Sequence, residues 1–111
     1  MDYKFSVEFL EDARVFIDKL PQKDREKILY NIWKSRAITD PELFKKLTNS
    51  IWEFRTLYNG KHYRLFAFWH KRNGIETLVI CTHGIIKKTG KTPDKEIEKA
   101  DQLRNDYLKN I

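Results

Sequence analysis

Phe9, Ala13, Phe16 and Leu20 recur at helical spacing, with Leu10 and Ile17 beside them, and so put one apolar face on a helix near the amino terminus. Tyr3 to Phe5 reads as a short first strand. Ser6 between the two can cap the helix, since its hydroxyl can accept from an early backbone N–H. Pro21 ends this helix and opens a second, because proline is tolerated only in a first turn. Ile28, Leu29, Ile32 and Trp33 form the apolar stripe of that second helix, and the two segments make a helical hairpin. Asp40-Pro41 signals a further short helical turn carrying Leu43, Phe44 and Leu47.

The pattern then changes. Ile51 to Tyr58, Lys61 to His70 and Ile75 to His83 are rich in β-branched and aromatic residues, and Asn59-Gly60 and Asn73-Gly74 separate them. Asn-Gly between such runs is a strong hairpin signal, because both central residues of a type I′ turn need positive φ. This part is an antiparallel meander. Thr92-Pro93-Asp94 opens a last helix, with Thr92 as its cap and Pro93 at its first position. Ile97, Ala100, Tyr107, Leu108 and Ile111 give that helix an apolar side. The class is α+β. An N-terminal strand and helical hairpin pack on an antiparallel sheet, a C-terminal helix follows, and residues 1–111 form a single domain.

Register carries the first functional expectation. With both Asn-Gly turns as two-residue loops, Tyr58 faces Lys61 and Arg55 faces Arg64. In the next hairpin Arg72 faces Ile75, which sets Arg64 opposite His83. Arg55, Arg64 and His83 would then form one basic row, although like charges directly opposite each other are destabilising. Such a row implies a visiting anion. Glu53 could neutralise part of it on a solvated sheet face, but not three basic groups. The same register puts Trp52, Phe54, Tyr63, Leu65, Trp69, Leu78 and Ile80 under the helical hairpin. Phe66, Phe68 and Val79 are left for the last helix to cover, and the end with the basic row stays open as a cleft. After His83, the stretch from Gly84 to Thr92 holds Lys87, Lys88 and Lys91 and runs into a helix start, a plausible phosphate grip beside the row.

Composition narrows the picture. With 111 residues there is room for one modest core, and 14% aromatic residues make that core aromatic. Twenty-two Lys and Arg against sixteen Asp and Glu leave a formal charge of +6, which favours an anionic partner, nucleic acid above all. Cys81 is the single cysteine, read as a small buried hydrophobe. It allows no intrachain disulfide, which fits a reducing compartment. No signal peptide and no membrane-spanning apolar run stand out, so the expected location is the cytoplasm, without membrane contact. His62 and His70 sit at strand ends and read as surface residues. No His/Cys/Asp cluster has metal-ligand spacing, and neither a phosphate-binding glycine fingerprint nor a nucleophile elbow is present. No metal and no cofactor is expected.

Trp52-Glu53-Phe54-Arg55, Tyr63-Arg64-Leu65 and the stretch His83-Gly84-Ile85-Ile86-Lys87-Lys88-Thr89-Gly90-Lys91-Thr92-Pro93, followed by Glu96, Ile97 and Ala100, together resemble the phage-derived HigB-like branch of the RelE/ParE toxin superfamily. The order of elements is similar along essentially the whole chain. Phe54 stands where that family usually has Leu, and Ile85 where it usually has Phe, each an exchange between apolar residues. The resemblance implies a RelE-like, microbial RNase-type fold. It also implies the toxin of a type II toxin–antitoxin system, an endoribonuclease that cuts mRNA on the ribosome and so inhibits translation. The implied partner is a small helix-turn-helix antitoxin. The superfamily's basic residues correspond here to Arg55, Arg64, Lys87 and Lys88, with His83 a further candidate for acid or base.

The chemistry of these residue types agrees. RNA carries its own nucleophile, the 2′-hydroxyl. An RNase without a metal needs a base for that proton, cations for the developing phosphorane charge and an acid for the leaving 5′-oxygen. Arg55 and Arg64 suit charge stabilisation. Lys87 or Lys88, crowded by other cations, can exchange a proton nearer neutrality, and His83 can do either task. Lys91, His62 and Lys61 are assigned to RNA contact. Two other readings use the same sequence: a ParE-like poison of DNA gyrase, and an RNA-binding module without catalysis. The basic row favours the nuclease.

Overall fold

The computed structural model describes residues 4–72, 75–87 and 91–111. Five strands form one mixed sheet in the order β1-β5-β4-β3-β2, from β1 (Ser6–Phe9), β2 (Phe44–Lys46), β3 (Trp52–Tyr58), β4 (Lys61–Arg72) and β5 (Ile75–Lys87). Helices α1 (Glu11–Asp18) and α2 (Gln22–Ala37) cover one face, and α3 (Asp94–Lys109) packs against the other. The class is α+β, as the sequence pattern predicts. Among the described residues, no helix is long and apolar enough to cross a membrane.

The amino-terminal segment differs from expectation. The first strand is Ser6–Phe9, running parallel to β5 with Ser6 beside Leu78 and Phe9 beside Cys81. Ser6 is therefore a strand residue, not a cap. The helix starts only at Glu11, where Glu11 and Asp12 place negative charge in the first turn. Tyr3 lies outside the described residues. In α2, Ile28 and Ile32 are buried, whereas Leu29 and Trp33 are about 40% exposed, so half of the predicted stripe faces outward. The predicted helical turn after Pro41 is instead strand β2, with Phe44 paired to Phe54 and Lys45 to Glu53.

Asn59 and Gly60 both have positive φ, 53° and 74°, and the β3–β4 hairpin has the predicted register with Arg55 opposite Arg64. Asn73-Gly74 lies outside the described residues. Beyond it, β5 slips twice against β4, between Phe66 and Ala67 and between His70 and Arg72. Each slip adds one residue to β5, and each reverses which face the next side chains occupy. Leu78 and Ile80 consequently join Phe66, Phe68, Ile51 and Ala100 under α3, while Val79 and Cys81 join Phe5, Ala13, Ile17, Ile28, Tyr63 and Leu65 under the helical hairpin. This corrects the predicted sides of Leu78, Ile80 and Val79. The second slip restores the original face, with Arg64 now opposite Ile85, and His83 opposite Phe66.

Candidate functional site: a basic cleft on the sheet

Alternation along β3 brings Glu53, Arg55 and Leu57 to the face that α3 covers only in part. Pairing with β4 aligns Phe66, Arg64 and His62 beside them, and β5 adds His83, Ile85 and Lys87 as a third column. At the open end lies a cleft of about 390 Å³. It is lined by Lys45, Lys46, Arg55, Arg64, Lys87 and Lys91, with Glu53, Thr92, Leu47 and Ile97. Six basic side chains against one carboxylate give the cleft a positive field that suits an anion.

The centre is a buried charge cluster. Glu53 is 3% exposed, with Oε1 3.5 Å from Arg64 Nε and Oε2 3.6 Å from Arg55 Nε. Thr92 donates its hydroxyl to Glu53 Oε1 at 2.8 Å, which ties the start of α3 to the arginine pair. Thr92 is thus not the side-chain cap of α3, whose N-terminal boundary residue is Pro93. Arg64, 5% exposed, donates from Nη1 to the Tyr63 carbonyl at 3.1 Å. The Nε atoms of both arginines are buried, and among the described residues neither has a hydrogen-bond acceptor in good geometry. Two cationic donors are held close to a carboxylate without a directed bond to it. Both guanidinium groups also line the cleft, where an oxyanion can meet them.

Lys87 is buried at the edge of this cluster, opposite His62 and two positions along the ladder from the Arg64–Ile85 pair, on the same face. Burial, then the positive charge of Arg64, holds its ammonium below the ordinary lysine range, and Glu53 only partly opposes them. Burial also lowers Arg64, but a guanidinium stays charged in any physiological solvent.

The other predicted site residues are dispersed. Lys91 lines the cleft, and His62 lines a smaller adjoining cavity that also touches both arginines. Lys88 lies outside the described residues. Lys61 faces the helical hairpin, 4.0 Å from Asp24, and is not part of the cleft. His83 does not flank Arg64, because the two slips together have carried it two pairs along, from Arg64 to Phe66. It is 2% exposed, stacked on Phe66 at 4.8 Å between centroids, with Nε2 3.1 Å from Glu96 Oε1 and Nδ1 3.1 Å from Thr82 Oγ1. Burial lowers its pKa more than Glu96 raises it.

Lys45 and Lys46 also line the cleft, and the sequence pattern does not reveal them. That pattern predicts a short helical turn carrying Leu43, Phe44 and Leu47, which spans both lysines, and gives Thr92 the role of a cap. One signal was available: Glu53 and Arg55, two apart on a strand, must share a face. Among the described residues, no group of three or more His, Cys, Asp or Glu is placed to hold a metal ion.

Residues 15–105 match the model of the Gp49 family, described as phage derived protein Gp49-like. No curated protein matches the sequence.

Proposed function

This chain belongs to the phage-derived Gp49-like family, and from that premise we propose that it is the toxin of a type II toxin–antitoxin pair, an endoribonuclease that cuts mRNA on the ribosome. The observation that carries this reading is the Arg55–Arg64 pair around buried Glu53, with Lys87 alongside, at the base of an open basic cleft.

The scissile phosphate takes its place against the two guanidinium groups that line the cleft. The ribose 2′-oxygen attacks phosphorus and gives up its proton, the bond to the 5′-oxygen breaks, and a 2′,3′-cyclic phosphate and a 5′-hydroxyl result. Arg55 and Arg64 offset the charge that builds on the phosphorane. Lys87, with a weakened hold on its proton, is the group suited to exchange one with the reacting oxygens. Lys45, Lys46 and Lys91 hold the flanking phosphates as point charges. The same basic cleft suits an acidic segment of a helix-turn-helix antitoxin as its inhibitor. It favours this reading over a gyrase poison, which has no use for a phosphate-sized site among six cations.

The test is a cell-free translation mix with a defined mRNA, in which fragment ends are mapped with the parent and with Arg55→Ala. New 5′-hydroxyl ends that need translating ribosomes and fall at least tenfold in the variant are expected, given that one such electrostatic contact contributes about 10²–10³ in rate. Intact mRNA with blocked growth on expression would turn the assignment to a binding toxin.

A further inference from the structure

Beside the main cleft, and sharing Arg55 and Arg64 with it, is a second cavity of about 190 Å³, lined also by Glu42, Thr56, Leu57 and His62. Its lining includes the cross-strand pair Leu57–His62, two positions along the β3–β4 ladder from Arg55 and Arg64 and on the same face. Leu57 is 60% exposed and belongs to neither apolar cluster, so it offers a bare apolar surface next to an imidazole. Glu42 lies in the turn before β2. Asp40 Oδ1 accepts from the Glu42 backbone N–H at 2.9 Å, and Arg55 N–H donates to the neighbouring Leu43 carbonyl at 2.8 Å. The turn that carries Glu42 is therefore tied by backbone to the strand that carries Arg55.

These walls do not suit a second phosphate, which Glu42 repels. They suit a flat ring with an apolar face and polar edges. We propose that this cavity is a base subsite that takes guanine, from the nucleotide next to the phosphate held at Arg55 and Arg64. The proposal rests on the nuclease reading above and adds its sequence preference.

His62 supplies a ring on which a base stacks, as imidazoles do for single-stranded RNA, and Leu57 adds an apolar surface beside it. Glu42 supplies the discrimination, because a carboxylate accepts hydrogen bonds and donates none. Guanine presents two adjacent donors, N1–H and the 2-amino group, which match the two carboxylate oxygens. Adenine and cytosine present one amino group next to a ring nitrogen that is itself an acceptor and repels the carboxylate. Uracil presents one N–H between two carbonyls. Guanine alone satisfies both oxygens, and a site built around a hydrogen-bonding group rejects ligands that leave it unpaired.

The experiment is translation of an mRNA library with randomised codons in a cell-free mix, followed by sequencing of the new 5′ ends, for the parent and for Glu42→Gln. The parent should favour guanine over adenine by about tenfold at one position next to the cut, the discrimination expected of one bidentate pair. Glu42→Gln should bring that ratio near one, because an amide cannot accept at both atoms. Cutting by the parent without a guanine preference, a preference for another base, or a guanine preference that survives in Glu42→Gln would each overturn the subsite and leave the nuclease reading standing. An mRNA left uncut by the parent would overturn the nuclease reading, and the subsite with it.

Discussion

Arg55 and Arg64 stand directly opposite each other on β3 and β4, and their Nε atoms lie 3.6 and 3.5 Å from the two oxygens of a single carboxylate, Glu53. Facing like charges destabilise a sheet, so Glu53 is what makes the pair tolerable in the absence of a ligand. The sheet thereby keeps two guanidinium groups together and partly neutralised, with a cleft open in front of them.

Glu53→Gln keeps the size of the side chain and removes the charge. Taking one partner out of a buried ion cluster costs about 3 kcal/mol, because the remaining charges stay buried and uncompensated. Denaturant unfolding should show a loss of that order. Added sulfate should then raise the Tm of the variant more than that of the parent, since the anion substitutes for the lost carboxylate. Equal midpoints with and without the carboxylate would mean that solvent already screens the arginines.

Lys87 gives a prediction in pH. Burial, then Arg64, holds its folded pKa below the ordinary 10.5, so the unfolded chain binds this proton more tightly. The resulting cost to stability is fully present below the folded pKa and fades as pH rises from there to 10.5. Lys87→Met removes the charge. Its midpoint relative to the parent should therefore be most favourable near neutrality and lose ground toward pH 10.5. A difference that stays flat with pH would argue against a desolvated ammonium. Lys87→Arg keeps a charge but cannot titrate, and RNA cutting should fall about a hundredfold if Lys87 moves a proton.

Gly84 faces the helical hairpin, where the Phe16 ring lies so close that a Cβ would overlap its Cδ2 edge. Gly84→Ala should cost about 2 kcal/mol, the usual scale of overpacking a core. Phe16→Leu alone should also destabilise, but the double variant should recover part of the loss, because the shorter side chain vacates the space the new methyl needs. Additive losses would mean that the backbone at Gly84, not the ring, sets the constraint.

The Arg55–Arg64 pair was legible in the sequence because one Asn-Gly turn, with no irregularity after it, fixes their register. His83 was not, because each of two slips in β5 adds a residue that no turn signal announces. Thr82 marks the second slip: it has no partner in the register between Cys81 and His83, and its hydroxyl donates to the Phe66 carbonyl at 3.3 Å. Strand β2 was also hidden, since three residues are too few for a period-two pattern, and Asp40-Pro41 reads equally well as a helix start. With β2 went Lys45 and Lys46, two of the six cations of the cleft.

The displacement of His83 separates structure from catalysis in a way that can be measured. His83 is buried beneath α3 between Thr82, Glu96 and Phe66, and the cleft is lined without it. Burial foremost lowers its folded pKa below 6.5. The stability linked to this shift is therefore fully present above pH 6.5 and is lost as pH falls through the folded value. His83→Gln should cost about 2 kcal/mol at neutral pH, roughly one for each hydrogen bond disturbed. It should also flatten the acid limb of the stability curve below pH 6.5, while RNA cutting at a temperature where the variant is folded stays within a few-fold of the parent. A hundredfold loss of cutting with an unchanged unfolding midpoint would instead give His83 a part in the chemistry, and α3 would then have to move away from the sheet to admit the substrate.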